Sequence, residues 1–458
     1  MIHSFDYASQ NIKDIGGVIA VNAALVKIEG FTGGVIGEAI SFETGVHGSI
    51  ISIHPENCEA VVFSKKSLEV GCKAARTGEP LSISVGDGLL THVITPLGYV
   101  IDERRQESTL PESRPVDVKP LGISARKKVT KFLLTGVPIV DLMVPVGEGQ
   151  RELVIGNRKC GKTFFVLSTV ITQARLGKIC VLGLIGKKKA EVKRIERILE
   201  EEKVINNCVI VASFASDSPG EVYLTPYSVM TVAEYFRDLG KNVLVTLDDM
   251  TTHAKYYRER SLLAGTFPGR ESYPGDIFHI QSKILERAGN FVIKSKEVSV
   301  TCLPVAETIE ADLTGYIQTN LMSMTDGHIF FDSDLFFKGI RPAVNIFLSV
   351  TRVGRQTQPG ELKELSQKIL VLLKKVQDLE RFLRFGPEVT EGVKDTLVKG
   401  AKIWEFFKKD SFEAISVEAQ IVKITEILDE NFKPEAPSTK SETNTAKHEI
   451  PNTKLETK

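Results

Sequence analysis

The chain has 458 residues, a length that predicts two to four domains with ample core. Charged residues make up 25% and hydrophobic residues 42%, the ordinary soluble globular range. Lys+Arg and Asp+Glu both number 58, which argues against a nucleic-acid binder working through bulk charge. The six cysteines show no C-x-x-C spacing, so neither a zinc site nor a disulfide framework is indicated. The N-terminus MIHSFDYASQ has no basic region followed by an apolar core, and no window approaches 18 uninterrupted apolar residues. These features predict a cytosolic chain without a membrane span.

Residues 1–95 read as short β-branched or alternating runs (GGVIAVNAALVKIEGF, EAISFETG, GSIISIHPE, EAVVFSKK, EPLSISVGDG) bounded by Gly, Asn or Pro. That spacing predicts a small N-terminal β-barrel. No pattern of base-stacking aromatics accompanies it, which disfavours an oligonucleotide-binding role. Residues 96–145 are polar and proline-punctuated, and read as an extended connection wrapping the next domain.

The stretch RELVIGNRKCGKT, residues 151–163, organises the rest. Gly156, Asn157, Arg158, Lys159, Cys160, Gly161, Lys162 and Thr163 fit G-x-x-x-x-G-K-[ST], with an apolar strand before and a helical pattern after. The glycines let backbone N–H groups turn toward phosphate oxygens, and the helix N-terminus adds partial positive charge. Lys162 is expected to reach the outer phosphates and the Thr163 hydroxyl to ligate Mg2+. Cys160 reads as a small residue tolerated in the loop.

Beyond the loop, strand runs (KICVLGLIG, NCVIVASFA, NVLVTLDD) alternate with helical ones. In the first of these helices Val192, Ile195, Ile198 and Leu199 share a face, and PYSVMTVAEYFRDLG reads as the next helix. The alternation predicts a parallel sheet covered on both faces. Asp248 and Asp249 end an apolar strand 85 residues after Thr163, where Asp248 can hold Mg2+ opposite the loop. Residues 356–432 show apolar positions at three-to-four spacing and predict a helical domain, and 433–458 read as a disordered polar tail. The resulting expectation is a multidomain α/β protein: barrel 1–95, nucleotide-binding domain 96–355, helical domain 356–432 and tail.

Over roughly residues 15–430 the chain resembles the alpha subunits of F-type ATP synthases. The resemblance is carried by PVGEGQRELVIGNRKCGKT, LVTLDDMTTHAKYYRERSLL, PGRESYPGDIFHIQSKILERAG and YIQTNLMSMTDGHIFFDSDLFFKGIRPAVNIFLSVTRVG. It implies a RecA-like central domain binding ATP or ADP with Mg2+. It further implies an alternating alpha3-beta3 ring with beta subunits, a gamma shaft and a stator (delta) subunit, peripheral on the cytoplasmic face of the cell membrane. Nucleic acid is no partner, and the membrane is reached only through the complex, whose coupling ion is a proton or sodium. In catalytic members a glutamate after the strand following the P-loop helix activates water; the matching place here is Gly186-Lys187-Lys188-Lys189. A solvated, protonated lysine cannot accept that proton, so this subunit's own site is expected to hold nucleotide without turnover. By the same resemblance Arg352 matches an arginine finger acting in a neighbouring beta subunit, with Ser349 and Ser323 near that interface. Phe336 and Arg341 match residues beside the adenine.

The chain also departs from the pattern. Asn157-Arg158-Lys159-Cys160 stands where the family usually has Asp-Arg-Gln-Thr, and the two glutamines near the adenine fall at Lys409 and Ser411, leaving base selectivity open. The loop after Phe291 is short, the N-terminal helix that commonly meets the stator is missing, and the helical domain is cut short. An alternative reading is a paralogous ring ATPase of a secretion, motility or Rho-like machine.

Overall fold

The computed structural model describes residues 3–66, 68–102, 110–383 and 391–428; the stretch 433–458, read above as a tail, lies outside them. A short helix, Phe5–Asn11, capped by Ser4, precedes the first strand. Six antiparallel strands then close a barrel: β1 (Ile15–Asn22), β2 (Leu25–Glu29), β3 (Glu38–Phe42), β4 (His47–Ile53), β5 (Asn57–Val62) and β6 (Lys73–Pro80), in the spatial order β1-β2-β5-β4-β3-β6. Val18, Ile28, Ile40, Phe42, Ile50 and Ala60 fill it, the alternate residues of each strand pointing inward. Closure leaves no free edge. Arg76 ties strands together by pairing with Asp14 at 2.7 Å and Glu38 at 3.0 Å.

The barrel ends at Pro80, and the chain enters the central sheet before residue 95. Strand Val93–Ile94 pairs in parallel with Cys208–Phe214 at one sheet edge. From that edge the order continues Ile179–Lys187, Val243–Asp248, Lys296–Glu307, Glu152–Gly156, Gly327–Phe331, all parallel, to the antiparallel edge strand Val350–Thr351. Strand Gly289–Ile293 adds an antiparallel hairpin arm to Lys296–Glu307.

Alternation along single strands separates two cores. Leu153, Ile155, Val181 and Val245 pack beneath helices Pro219–Asp238, Met250–Leu263 and Ile277–Leu285. Val154, Leu182, Ile210 and Leu244 face helices Lys162–Arg175 and Lys189–Glu201 on the other side. Burial on both faces explains the continuous apolar runs. Three helices, Gly360–Leu383, Glu391–Phe407 and Val417–Leu428, end the described part of the chain, as expected from their periodicity. At their crossing a Cβ on Gly400 would come within 2.5 Å of the Val376 side chain, so the glycine sets the close approach.

One helix begins earlier than its sequence pattern suggests. PYSVMTVAEYFRDLG reads as starting at Pro226, but the helix runs Pro219–Asp238 with Pro226 inside it. Ser218 and Glu221 form a reciprocal capping box that satisfies the first N–H groups, and Pro219 occupies the tolerated first turn. This cap outweighs the interior proline.

Candidate functional site

The phosphate loop joins strand Glu152–Gly156 to helix Lys162–Arg175. Gly156 has φ 156°, and a Cβ there would lie 2.3 Å from the Phe331 carbonyl oxygen, so the strand end admits glycine alone. Gly161 adopts φ 99° as the residue preceding the helix. Asn157 braces the loop on three sides: its Nδ2 donates to Ser333 Oγ at 2.8 Å, and its Oδ1 accepts from Thr308 Oγ1 at 2.6 Å and Ala311 N at 2.8 Å. Arg158 pairs with Glu307 at 2.7 Å, while Lys159 stays exposed. Cys160 is buried, donates its thiol to Asn157 O at 2.7 Å, and burial pushes its pKa up. Lys162 is buried, its Nζ on the carbonyl oxygens of Gly156 and Asn157 at 2.6 Å each. Thr163 follows it, half-buried, in the first helical turn.

Sheet order brings three acids to the same strand ends. Glu307 ends the strand beside the P-loop strand, and Asp248 ends the next one. Asp249 caps helix Met250–Leu263, accepting from Thr252 N and Oγ1. Burial and the neighbouring Asp248 charge raise its pKa to about 6.

Lys187 ends the strand after Asp248's in the sheet and corrects an expectation. It is not solvated: its side chain is 16% exposed, its Nζ lies 2.9 Å from Asp248 Oδ1, and Glu191 stands 3.6 Å away. Burial works against its charge, but Asp248 and then Glu191 outweigh that, and its pKa lies above the ordinary lysine value. The ammonium is held charged by partners rather than by water, and it is no proton acceptor.

That ion pair bears on magnesium. Thr163 lies in the first turn of the helix beside the loop, but Asp248 already carries Lys187 on one oxygen. No group of three or more His, Cys, Asp or Glu able to hold a metal occurs among the described residues. With Asp248 committed to Lys187, the residues do not offer a divalent cation the carboxylate expected to face it. Sequence reasoning singled out both Lys187 and Asp248 but not their pairing, nor Glu307, whose signal was an acid ending the apolar run VTCLPVAE.

A second group lies beside the loop. The Arg341 guanidinium sits over the Phe336 ring at 4.9 Å, and Arg341 O accepts from Lys409 N at 3.0 Å. Lys409 Nζ donates to Gly136 O at 2.7 Å, and Phe412 stacks on Phe164 of the P-loop helix at 5.0 Å. The structure thus brings Phe336, Arg341 and the 409–412 segment together, with Ser411 exposed. Burial lowers the Lys409 pKa, the Asp141 charge opposing it.

Arg352, by contrast, lies away from the phosphate loop. It is exposed and follows edge strand Val350–Thr351, with its N donating to Asp326 O at 3.0 Å. Thr351 Oγ1 donates to Pro145 O at 2.9 Å and accepts from Gly354 N at 3.0 Å, bracing the turn. Ser349 supports it from below, accepting from Phe330 N at 2.9 Å and donating to Asn345 O at 2.7 Å. Ser323 is exposed at the end of helix Tyr316–Met324, bonded to Asn320 O.

Residues 136–351 match the model of the ATP synthase alpha/beta family, nucleotide-binding domain. The chain is 37% identical over 433 residues to the ATP synthase subunit alpha of Anaplasma marginale (strain Florida), covering 92% of this chain and 85% of that protein. It is 37% identical over 422 residues to the subunit alpha of Rickettsia bellii (strain OSU 85-389), covering 90% and 82%. The subunit alpha of Clostridium acetobutylicum is likewise 37% identical over 418 residues, covering 91% and 83%.

Proposed function

Since the chain belongs to the ATP synthase alpha subunits, within the alpha/beta nucleotide-binding family, we propose that it holds ATP or ADP without hydrolysing it and completes a neighbour's catalytic site with Arg352. The observation that carries the first half is Lys187: an ammonium ion-paired to Asp248 stands where a water-activating carboxylate would be needed. The phosphates would lie on the N–H groups of residues 157–163 and on Lys162, which exchanges its loop carbonyls for phosphate oxygens. Phe336 and Arg341 flank the base. With Asp248 committed to Lys187, the phosphate charge would be met by this chain's own cations, Lys162 first.

What supports the second half is the exposure of Arg352 on a turn braced through Thr351, Gly354 and Ser349. A guanidinium so held can neutralise charge developing on a transferred phosphoryl group, an effect on the order of 10³–10⁵ in rate. Ser323 would lie along the same interface. The partners are beta subunits alternating with this chain in a ring of three and three, a gamma shaft and a stator subunit, with protons or sodium ions as the coupled species. No helix among the described residues is long and apolar enough to cross a membrane, so membrane attachment would come through the complex, at its cytoplasmic face.

The test is ATPase activity of the chain alone and co-assembled with its beta and gamma subunits, as wild type and Arg352→Ala. The expected result is no turnover alone, turnover in the complex, and its loss in the variant. Turnover by the isolated chain, or a complex indifferent to Arg352, would overturn the reading.

A further inference from the structure

The Lys187–Asp248 pair is set rigidly. Lys187 is the last residue of its strand and pairs in register with Phe214, and its carbonyl accepts from Ala215 N at 3.0 Å. Gly186, at φ 63°, turns the backbone just before it, with Gly186 N bonded to Ser213 Oγ at 3.0 Å. The ammonium is thus delivered by the sheet itself, at the same end that carries the phosphate loop. A buried lysine, Lys162, and a largely buried one, Lys187, then serve one polyphosphate site.

A divalent cation seeking Asp248 faces two unfavourable arrangements. If Lys187 stays on Asp248, the metal meets a fixed like charge and a carboxylate whose charge is already neutralised. If the metal takes Asp248, it strands a largely buried ammonium without its closest partner, which is strongly destabilising. A metal-free nucleotide meets neither obstacle, since its phosphate oxygens can add to Lys187 without breaking the ion pair.

We propose that Lys187 is the resident counter-cation of this site, so that the chain binds the metal-free nucleoside triphosphate about as tightly as its magnesium complex. The proposal rests on the nucleotide-holding reading above. Its test is equilibrium binding of ATP to the full-length chain, by calorimetry, in EDTA and in excess Mg2+, for wild type and Lys187→Gln. The wild-type dissociation constants should agree within about threefold, whereas Lys187→Gln, which frees Asp248, should prefer Mg-ATP by about tenfold or more. A wild type that itself prefers Mg-ATP by tenfold would overturn the proposal and leave the nucleotide site standing. No binding by the wild type under either condition would overturn both. A third measurement guards against a misfolded variant: Lys187→Met, with far-ultraviolet circular dichroism matching wild type, should behave as Lys187→Gln, and an unchanged ratio in both folded variants would also sink the idea.

Discussion

Lys162 is buried with its ammonium on two loop carbonyls, and this arrangement is poised rather than inert: the same donors can pass to phosphate oxygens when nucleotide enters. Lys162→Gln keeps a donor but removes the charge. Charge-assisted bonds contribute about 1.5–3 kcal/mol, so ATP binding should weaken by about 10- to 100-fold while the unfolding midpoint stays near wild type. A calorimetric titration reads the first and thermal denaturation the second. The phosphate loop was fully legible in the sequence, because its chemistry is written in eight consecutive residues. The environment of Lys187 was not. Its partner lies 61 positions away, and only the sheet order, which sets strand Val243–Asp248 beside Ile179–Lys187, brings the two charges together.

At the scale of elements, the turn that carries Arg352 depends on a glycine with no conspicuous sequence signal. A Cβ on Gly354 would lie 1.6 Å from Pro145 O, well inside contact distance, so Gly354→Ala must displace the turn that carries Arg352. The expected result is about 1–3 kcal/mol of lost stability and reduced ATPase activity of the assembled complex, with ATP binding by the chain itself retained. Helix Pro219–Asp238 offers a second case. Ser218→Ala removes the capping box and should lower stability by about 1 kcal/mol in denaturant unfolding. Here the signal S-P-G-E was present in the sequence, but Pro226 is the stronger breaker by eye. The edge strand Val93–Ile94 escaped notice for a different reason, since two residues carry no periodicity.

Across the whole molecule, the parts are joined by shared buried cores and by specific contacts. A Cβ on Gly220 would lie 2.8 Å from Val61 Cγ2 and 3.1 Å from Val62 O, so the end of β5 seats directly on the start of helix Pro219–Asp238. Lys65 reinforces that joint by pairing with Asp217 at 2.9 Å. Gly220→Leu should loosen the barrel, lowering the thermal midpoint and exposing residues near 80 to limited proteolysis. At the opposite joint, Gln420 of the last helix donates to Asp141 at 3.0 Å, and burial raises the Asp141 pKa to about 6. With the folded pKa above the unfolded one, its contribution is full below about pH 4 and is lost as pH rises through 6, a change of about 1–3 kcal/mol. Asp141→Asn should flatten that slope in denaturant melts between pH 4 and 7.

The phosphate loop follows strand Glu152–Gly156 and Arg352 follows Val350–Thr351; strand Gly327–Phe331 lies between the two, and the loop and Arg352 sit at its opposite ends. Gly156 aligns with Phe331, whereas Thr351 aligns with Gly327 opposite Glu152. At 3.3–3.4 Å per residue, the stretch from Gly327 to Phe331 holds them about 13 Å apart along the strand, beyond the span of an arginine side chain. On the proposed reading, each copy would present a socket at one end of that strand and a plug at the other, and neither could serve itself. Contacts of that kind are head-to-tail, and a closed circle built from them has a sense of travel. Clockwise and anticlockwise neighbours would then be different neighbours, a distinction set within one chain before any partner arrives.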